Sequence, residues 1–225
     1  MTFPTHAALK SALESVVSEA NGGFGLHMWA TIIDRDGVVI AVAHSGEDRG
    51  AQWPGSRVIS AQKANTANAF SLPGLALSTA NLFTATQPGN SLYGLQHSNP
   101  VNTEVAYRGD SEFIGTEKDP MVGGKIGGVN VFGGGLGLYS ANGTLVGGLG
   151  VSGDSSTADH NIAWKLRKAL GLDYVPAGVN ADGTDNIVND IVGGVSASGW
   201  GHPETTAEAK AIAAAFGTTH PVSKK

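Results

Sequence analysis

Along this chain apolar residues recur first at helical and then at alternating spacing, and each change of period marks a change of element. From Thr5, a residue suited to capping a helix start, Ala8, Leu9, Ala12, Leu13, Val16 and Val17 repeat every three or four positions until Asn21-Gly22-Gly23 interrupts them. This predicts an amphipathic helix near 5–20. Runs rich in β-branched and aromatic residues follow near 26–34 and 37–43, joined by the turn chemistry of Asp34-Arg-Asp-Gly37, so a β-hairpin is expected. Pro54-Gly55-Ser56 opens a second helix near 56–70, in which Ala61, Ala64 and Ala67 make one face of small side chains able to lie close to a sheet. Between Ser71 and Val122 there is one short helix-like piece around Leu75 to Phe83, set among polar stretches punctuated by Gly, Pro and Asn, such as QPGNSLYGLQHSNPVN. Loops this long usually carry a site or an interface.

The next part, GGKIGGVNVFGGGLGLYSANGTLVGGLGVSG, predicts strands near 129–139 and 143–151 joined at Asn142-Gly143, a strong hairpin signal. A third helix is expected near 156–170, with Ser156 and Asp159 spaced as a capping box and Lys165, Arg167 and Lys168 towards its end. Gly148, Gly150 and Gly153 match G-x-G-x-x-G, but that fingerprint needs a strand that opens a parallel βαβ unit. Here the strand is the second arm of a hairpin, and Asp173-Tyr-Val-Pro176 breaks the chain where the next buried strand should form. Neither NAD nor FAD is expected, and the 33 glycines are better read as sites of close backbone approach.

Composition narrows the function classes. With 225 residues, 41% hydrophobic and 15% charged, the chain can bury one sizeable core. A net charge of -5, with no basic run longer than the pairs Arg167-Lys168 and Lys224-Lys225, argues against nucleic acid or an anionic membrane as partner. No apolar run approaches the ~18 residues of a spanning helix, so the chain as written reads as a soluble cytoplasmic protein, a mature exported form being equally consistent. The absence of cysteine removes disulfides, thiolate metal sites and cysteine nucleophiles. Gly150-Val-Ser152-Gly153 falls one residue short of a nucleophile elbow, and there is no P-loop or H-E-x-x-H. The seven histidines include no pair at helical spacing, which argues against structural zinc. His97 in a polar loop, His160 at a helix start and His202 in GWGHP are the three placed where a ligand could meet them, each equally readable as a structural histidine.

Several features occur together and in order: the D-x-x-G hairpin turn, AQKANTAN with Lys63, the triple glycine Gly133 to Gly135 before a strand, and the closing G-x-x-G-V-S-G followed by Asp159. In this the chain resembles the GlcG/HbpS family, over roughly residues 5–172. The resemblance implies an α/β (α+β) profilin/roadblock-like sandwich, in which helices flank an antiparallel sheet of roughly five strands. It divides the chain into a family domain, 1–172, and a C-terminal extension, 173–225, packed on that domain or on a neighbouring subunit. It also implies haem binding or degradation in some members, frequent assembly into symmetric oligomers, and a pocket rim formed here by Lys63, Gly133, Gly134, Gly135 and Asp159. No axial haem ligand carries over; His97, His160 and His202 are the candidates. Longer relatives are expected to carry cysteines near Ser156 and Thr205, which this chain lacks.

Three functions remain open at this level. One is a haem-handling protein with Trp53, Phe70, Phe132 and Tyr139 available as an apolar wall. Another is an enzyme or binding protein for a small hydroxy or keto acid, with Lys63 or Arg57 holding the carboxylate and His97 or His160 moving a proton. A third is an assembly protein without catalysis. The long middle loops, rich in Leu, Phe, Tyr and Pro, argue for a homo-oligomer. Light scattering should therefore return at least twice the mass of one chain at working concentrations, and a monomeric particle would contradict it.

Overall fold

The computed structural model describes residues 3–224; Met1, Thr2 and the second lysine of Lys224-Lys225 lie outside them. In chain order the regular elements are α1 (His6–Val17), β1 (Trp29–Asp34), β2 (Val39–His44), α2 (Ser56–Phe70), α3 (Leu95–Ser98), α4 (Thr103–Ala106), β3 (Gly135–Tyr139), β4 (Leu145–Ser152), α5 (Ser156–Ala169), β5 (Ile191–Val192), β6 (Val195–Ser196), α6 (Ala207–Ala214) and α7 (Phe216–Thr219). The main sheet has the order β2-β1-β4-β3 and every pairing in it is antiparallel. Thr5 caps α1 through its hydroxyl, which accepts from Ala8 N.

The expected five-stranded sheet has four strands, with a separate two-stranded ribbon, β5-β6. The difference lies in residues 129–134, which the apolar pattern assigns to a long strand. Their amides bond outside the ladder: Val129 N to Asn99 O, Asn130 N to Thr66 Oγ1 and Val131 N to the Gln96 side chain. A segment whose donors are taken by loops and side chains satisfies its backbone without joining the sheet, so β3 begins only at Gly135. The piece expected around Leu75 to Phe83 forms 3-10 turns at Thr79–Leu82 and Thr84–Thr86.

Alternation along the strands sorts the two faces. Ala30, Ile32, Leu136, Leu138, Leu149 and Val151 join Leu9, Leu13, Ile162 and Leu166 in a core between the sheet and α1 and α5. On the opposite face, Trp29 and Ile33 pack with Val58, Ala61 and Ala64 of α2. There β3 and β4 present glycines, Gly135 paired with Gly150 and Gly137 with Gly148. A Cβ added at Gly148 would collide with Ala64 O, and one at Gly150 with Ser60 O. The G-x-G spacing is thus strand alternation beneath a closely packed helix.

The segment after 172 adds Ile187, Ala213 and Phe216 to the main core. Phe216 stacks on Trp164 of α5, ring centroids 5.4 Å apart. Arg167 and Asp185 form a fully buried two-point ion pair at 2.6 and 2.8 Å. Gly150→Ala should lower stability by ~1–3 kcal/mol through overpacking against α2, read as a lower urea midpoint. Gly217→Ala, where an added Cβ meets nothing within 4 Å, should not lower it.

Candidate functional site

The expected pocket residues converge on one side of the sheet. A cleft of about 300 Å³ lies between α2, the β4–α5 turn and the loop before β3. Trp53, Ser56, Ile59 and Lys63 approach from α2 and the residues before it, Phe132 from the loop, and Ser152, Asp154, Ser156 and Asp159 from the other side. A larger hollow of about 560 Å³ in the C-terminal part, lined by Asn180, Asn189 and Lys210, contains none of the expected residues.

Lys63 is 2% exposed. Its Nζ donates to Asp159 Oδ2 at 2.7 Å and to Val151 O at 3.1 Å, leaving one N–H uncommitted. Burial raises the Asp159 carboxyl to about 6, while Lys63 opposes that shift. Asp159 does not act as the acid of a capping box on Ser156. The helix cap is Ser155, without a side-chain cap bond, and Asp159 Oδ1 instead accepts from Asp154 N at 2.8 Å. The Asp154 carboxylate in turn accepts from Phe24 N and Leu26 N, fixing the chain that leads into β1.

The triple glycine is packed against the protein itself. Gly134 has φ +114°, a conformation that favours glycine. An added Cβ there would strike Val151 O; at Gly133 it would strike Ser156 O, and at Gly135 the Thr79 methyl. The loop therefore approaches β4, α5 and the first 3-10 turn, and the cleft is entered past Phe132 and Trp53, which are 47% and 53% exposed.

The remaining expected residues separate. Arg57 is committed to Asp119 through Nε and Nη2, at 2.9 and 2.5 Å, and to Ala106 O at 3.0 Å. His97 sits exposed on α3, away from the cleft lining. His160 is fully buried; its Nε2 is 3.1 Å from both Asn186 Oδ1 and Ile187 N, and its Nδ1 finds no partner among the described residues. Burial lowers His160 to about 4. His202 is also buried, with Nδ1 2.8 Å from Pro203 O and Nε2 2.9 Å from Ser156 Oγ, and burial lowers it to about 4. Of the aromatic wall, Trp53 and Phe132 border the cleft, whereas Phe70 packs in a separate cluster and Tyr139 is buried with its hydroxyl on Leu72 O. Ser156 joins the site as a hydroxyl rather than as a cap. Ser155 Oγ and Thr205 Oγ1 lie 3.4 Å apart, which brings the extension onto the start of α5.

The family model described as haem degrading protein HbpS-like matches residues 5–167. The chain belongs to the HbpS-like family. Among solved structures, it is similar to the crystal structure of a PduOC–haem complex at 25% identity and TM-score 0.51, covering 75% of this chain and 94% of that one. Klebsiella pneumoniae protein ORFY is similar at 24% identity and TM-score 0.49, over 74% and 89% of the two chains. HbpS is similar at 20% and 0.43, over 76% and 92%. A search of curated proteins returns no match. Among the described residues no helix is long and apolar enough to cross a membrane, and no group of three or more His, Cys, Asp or Glu is placed to hold a metal ion.

The buried histidines of this HbpS-like chain make its stability pH-dependent. His160 and His202 titrate near 4 when folded and near 6.5 when unfolded, so below 6.5 the unfolded chain takes up protons that the native one refuses. Their stabilisation is complete above 6.5 and is lost as pH falls towards 4, at about 1.4 kcal/mol per pH unit for each proton. Asp159, raised to about 6, binds its proton more tightly when folded and opposes this with one proton over most of that window, below about 6. His44 and His220, lowered mainly by burial, act with the first two. The urea midpoint should therefore be lower at pH 5 than at pH 7; an equal or higher value would contradict this assignment.

Proposed function

We propose that this chain binds haem in the cleft by one propionate-bearing edge. The observation that carries the proposal is the juxtaposition of an exposed apolar wall, Trp53 and Phe132, with the uncommitted Lys63 N–H. Ser156, the first residue of α5, brings its amide and the positive end of the helix dipole to the cleft border, which suit a carboxylate. The family description and the haem complex of PduOC support the same ligand.

The donor set and wall fit a propionate edge and the adjoining part of a flat macrocycle. Among the described residues no histidine, methionine or tyrosine lines the cleft, so it offers oxygen donors and no imidazole ligand to iron, the Lys63 amine being held in its ion pair with Asp159. When bound, haem supplies a redox-active iron. The chain's own residues supply the grip: Lys63 and the amide at the start of α5, Ser156 N, would hold the carboxylate, and Trp53 and Phe132 would shield the ring edge from water. A second reading, a small hydroxy or keto acid, is favoured by the cleft's volume, at the lower end for small-ligand sites.

Haem titration followed at the Soret band should show saturable binding. Trp53→Ala and Phe132→Ala should each raise Kd about five- to tenfold, equivalent to ~1–1.4 kcal/mol of lost apolar contact. His97→Ala should leave Kd unchanged. Lys63→Ala is a poor probe, because it strands the buried Asp159 carboxylate at a cost of ~3–5 kcal/mol. No Soret change with the native chain, together with a rise in melting temperature with hydroxy or keto acids, would favour the second reading.

A further inference from the structure

We propose that Ser156 is a nucleophile towards carboxylic esters, with His202 as its general base. The two residues are 46 positions apart and meet across the start of α5, with Ser156 Oγ 2.9 Å from His202 Nε2. His202 Nδ1 is 2.8 Å from Pro203 O, a carbonyl that can only accept, so the ring proton sits on Nδ1 and Nε2 faces Ser156 as an acceptor. This is the arrangement of nucleophile, base and orienting group needed to activate a hydroxyl. His202 lies beyond the residues matched by the family model, which end at 167, and the inference does not rest on haem binding.

The surroundings favour attack. Gly133 N donates to Ser156 Oγ at 2.7 Å, which stabilises the developing alkoxide and leaves one lone pair free. Ser156 is the first residue of α5 after the turn from β4, and it borders the cleft. The amide of Ser156 itself, the first of α5, has no intrahelical acceptor, and this residue borders the cleft, where the amide can receive an oxyanion. Burial keeps His202 neutral, lowering it to about 4, so Nε2 is available to accept a proton at neutral pH. The same burial makes the imidazolium costly, which restricts the chemistry to esters with good leaving groups.

In the acylation step Oγ bonds to the ester carbonyl carbon while its proton passes to His202 Nε2. Collapse of the tetrahedral adduct breaks the ester C–O bond, and Nε2 returns the proton to the departing alcohol. Water then attacks the acyl-serine, giving its proton to Nε2; the acyl–Oγ bond breaks, the acid leaves and the proton returns to Ser156. Ester and water become acid and alcohol.

The test treats the purified full chain with a fluorophosphonate probe and, separately, with p-nitrophenyl acetate. The expected result is a phosphonyl adduct on the peptide carrying Ser156, and p-nitrophenolate release that falls to background in Ser156→Ala. His202→Gln should slow release by ~10²–10⁴-fold, the range of a lost general base, with circular dichroism confirming the fold. An unlabelled Ser156 in the native chain overturns the proposal whatever the variants do. So does undiminished release in either folded variant.

Discussion

The contact on which the rest of this molecule depends is the close approach of α2 to the glycine face of β3 and β4. Gly148 and Gly150 lie against Ala64 O and Ser60 O, and Gly135 against Lys63 O, so helix backbone and strand backbone meet with no side chain between them. Interiors are packed densely enough that a single added carbon at such a contact is felt. The short distance is also what lets Lys63, on that helix, reach across the edge of the sheet to Val151 O and Asp159. A bulkier face on either element would move the helix outward and draw the amine away from its partners.

Three buried ion pairs then tie separate parts of the chain to this frame. Arg57–Asp119 fastens the long middle segment to α2, Lys63–Asp159 fastens α2 to α5, and Arg167–Asp185 fastens α5 to the C-terminal segment. Taking charges out of water offsets much of their attraction, so their net contribution to stability is small, whereas removing one partner is strongly destabilising. Their effect is on placement. Residues 71–134 contain only short helical turns, and such a segment keeps one path when its backbone donors and a central carboxylate are satisfied by fixed partners. Asp119 shows this, since besides Arg57 it accepts from Gly115 N and Met121 N.

The cleft follows from the same placement. Its floor is the Lys63–Asp159 ion pair, its rim two half-exposed aromatic rings, and one edge the start of a 14-residue helix. His160 and His202 stand behind that helix start, both held neutral by burial. His160 bonds to the C-terminal segment and serves the packing there; His202 reaches the cleft only through the Ser156 hydroxyl. The C-terminal segment is thus part of the site's construction.

Local patterns in the sequence determined α1, α2, α5 and the two hairpins, because helical spacing, strand alternation and the turns Asp34–Gly37 and Asn142-Gly143 are properties of neighbouring residues. They also showed that Gly148-x-Gly150 belongs to an antiparallel arm, and the ordered motifs around Lys63, Gly133–Gly135 and Asp159 marked the family; of these residues Lys63 and Asp159 border the cleft, while the glycines pack against β4, α5 and the first 3-10 turn. Tertiary structure alone decided the rest. Residues 129–134 carry a strand pattern, yet their amides find partners in Asn99, Thr66 and Gln96, distant in sequence. Ser156 and Asp159 have capping-box spacing, yet His202 and Lys63 claim their side chains. Arg57 was legible as a cation but not as the partner of Asp119, 62 positions away. In each case the local signal states what a residue can bond, and the competition among distant partners, settled only when the chain closes on itself, states what it does bond.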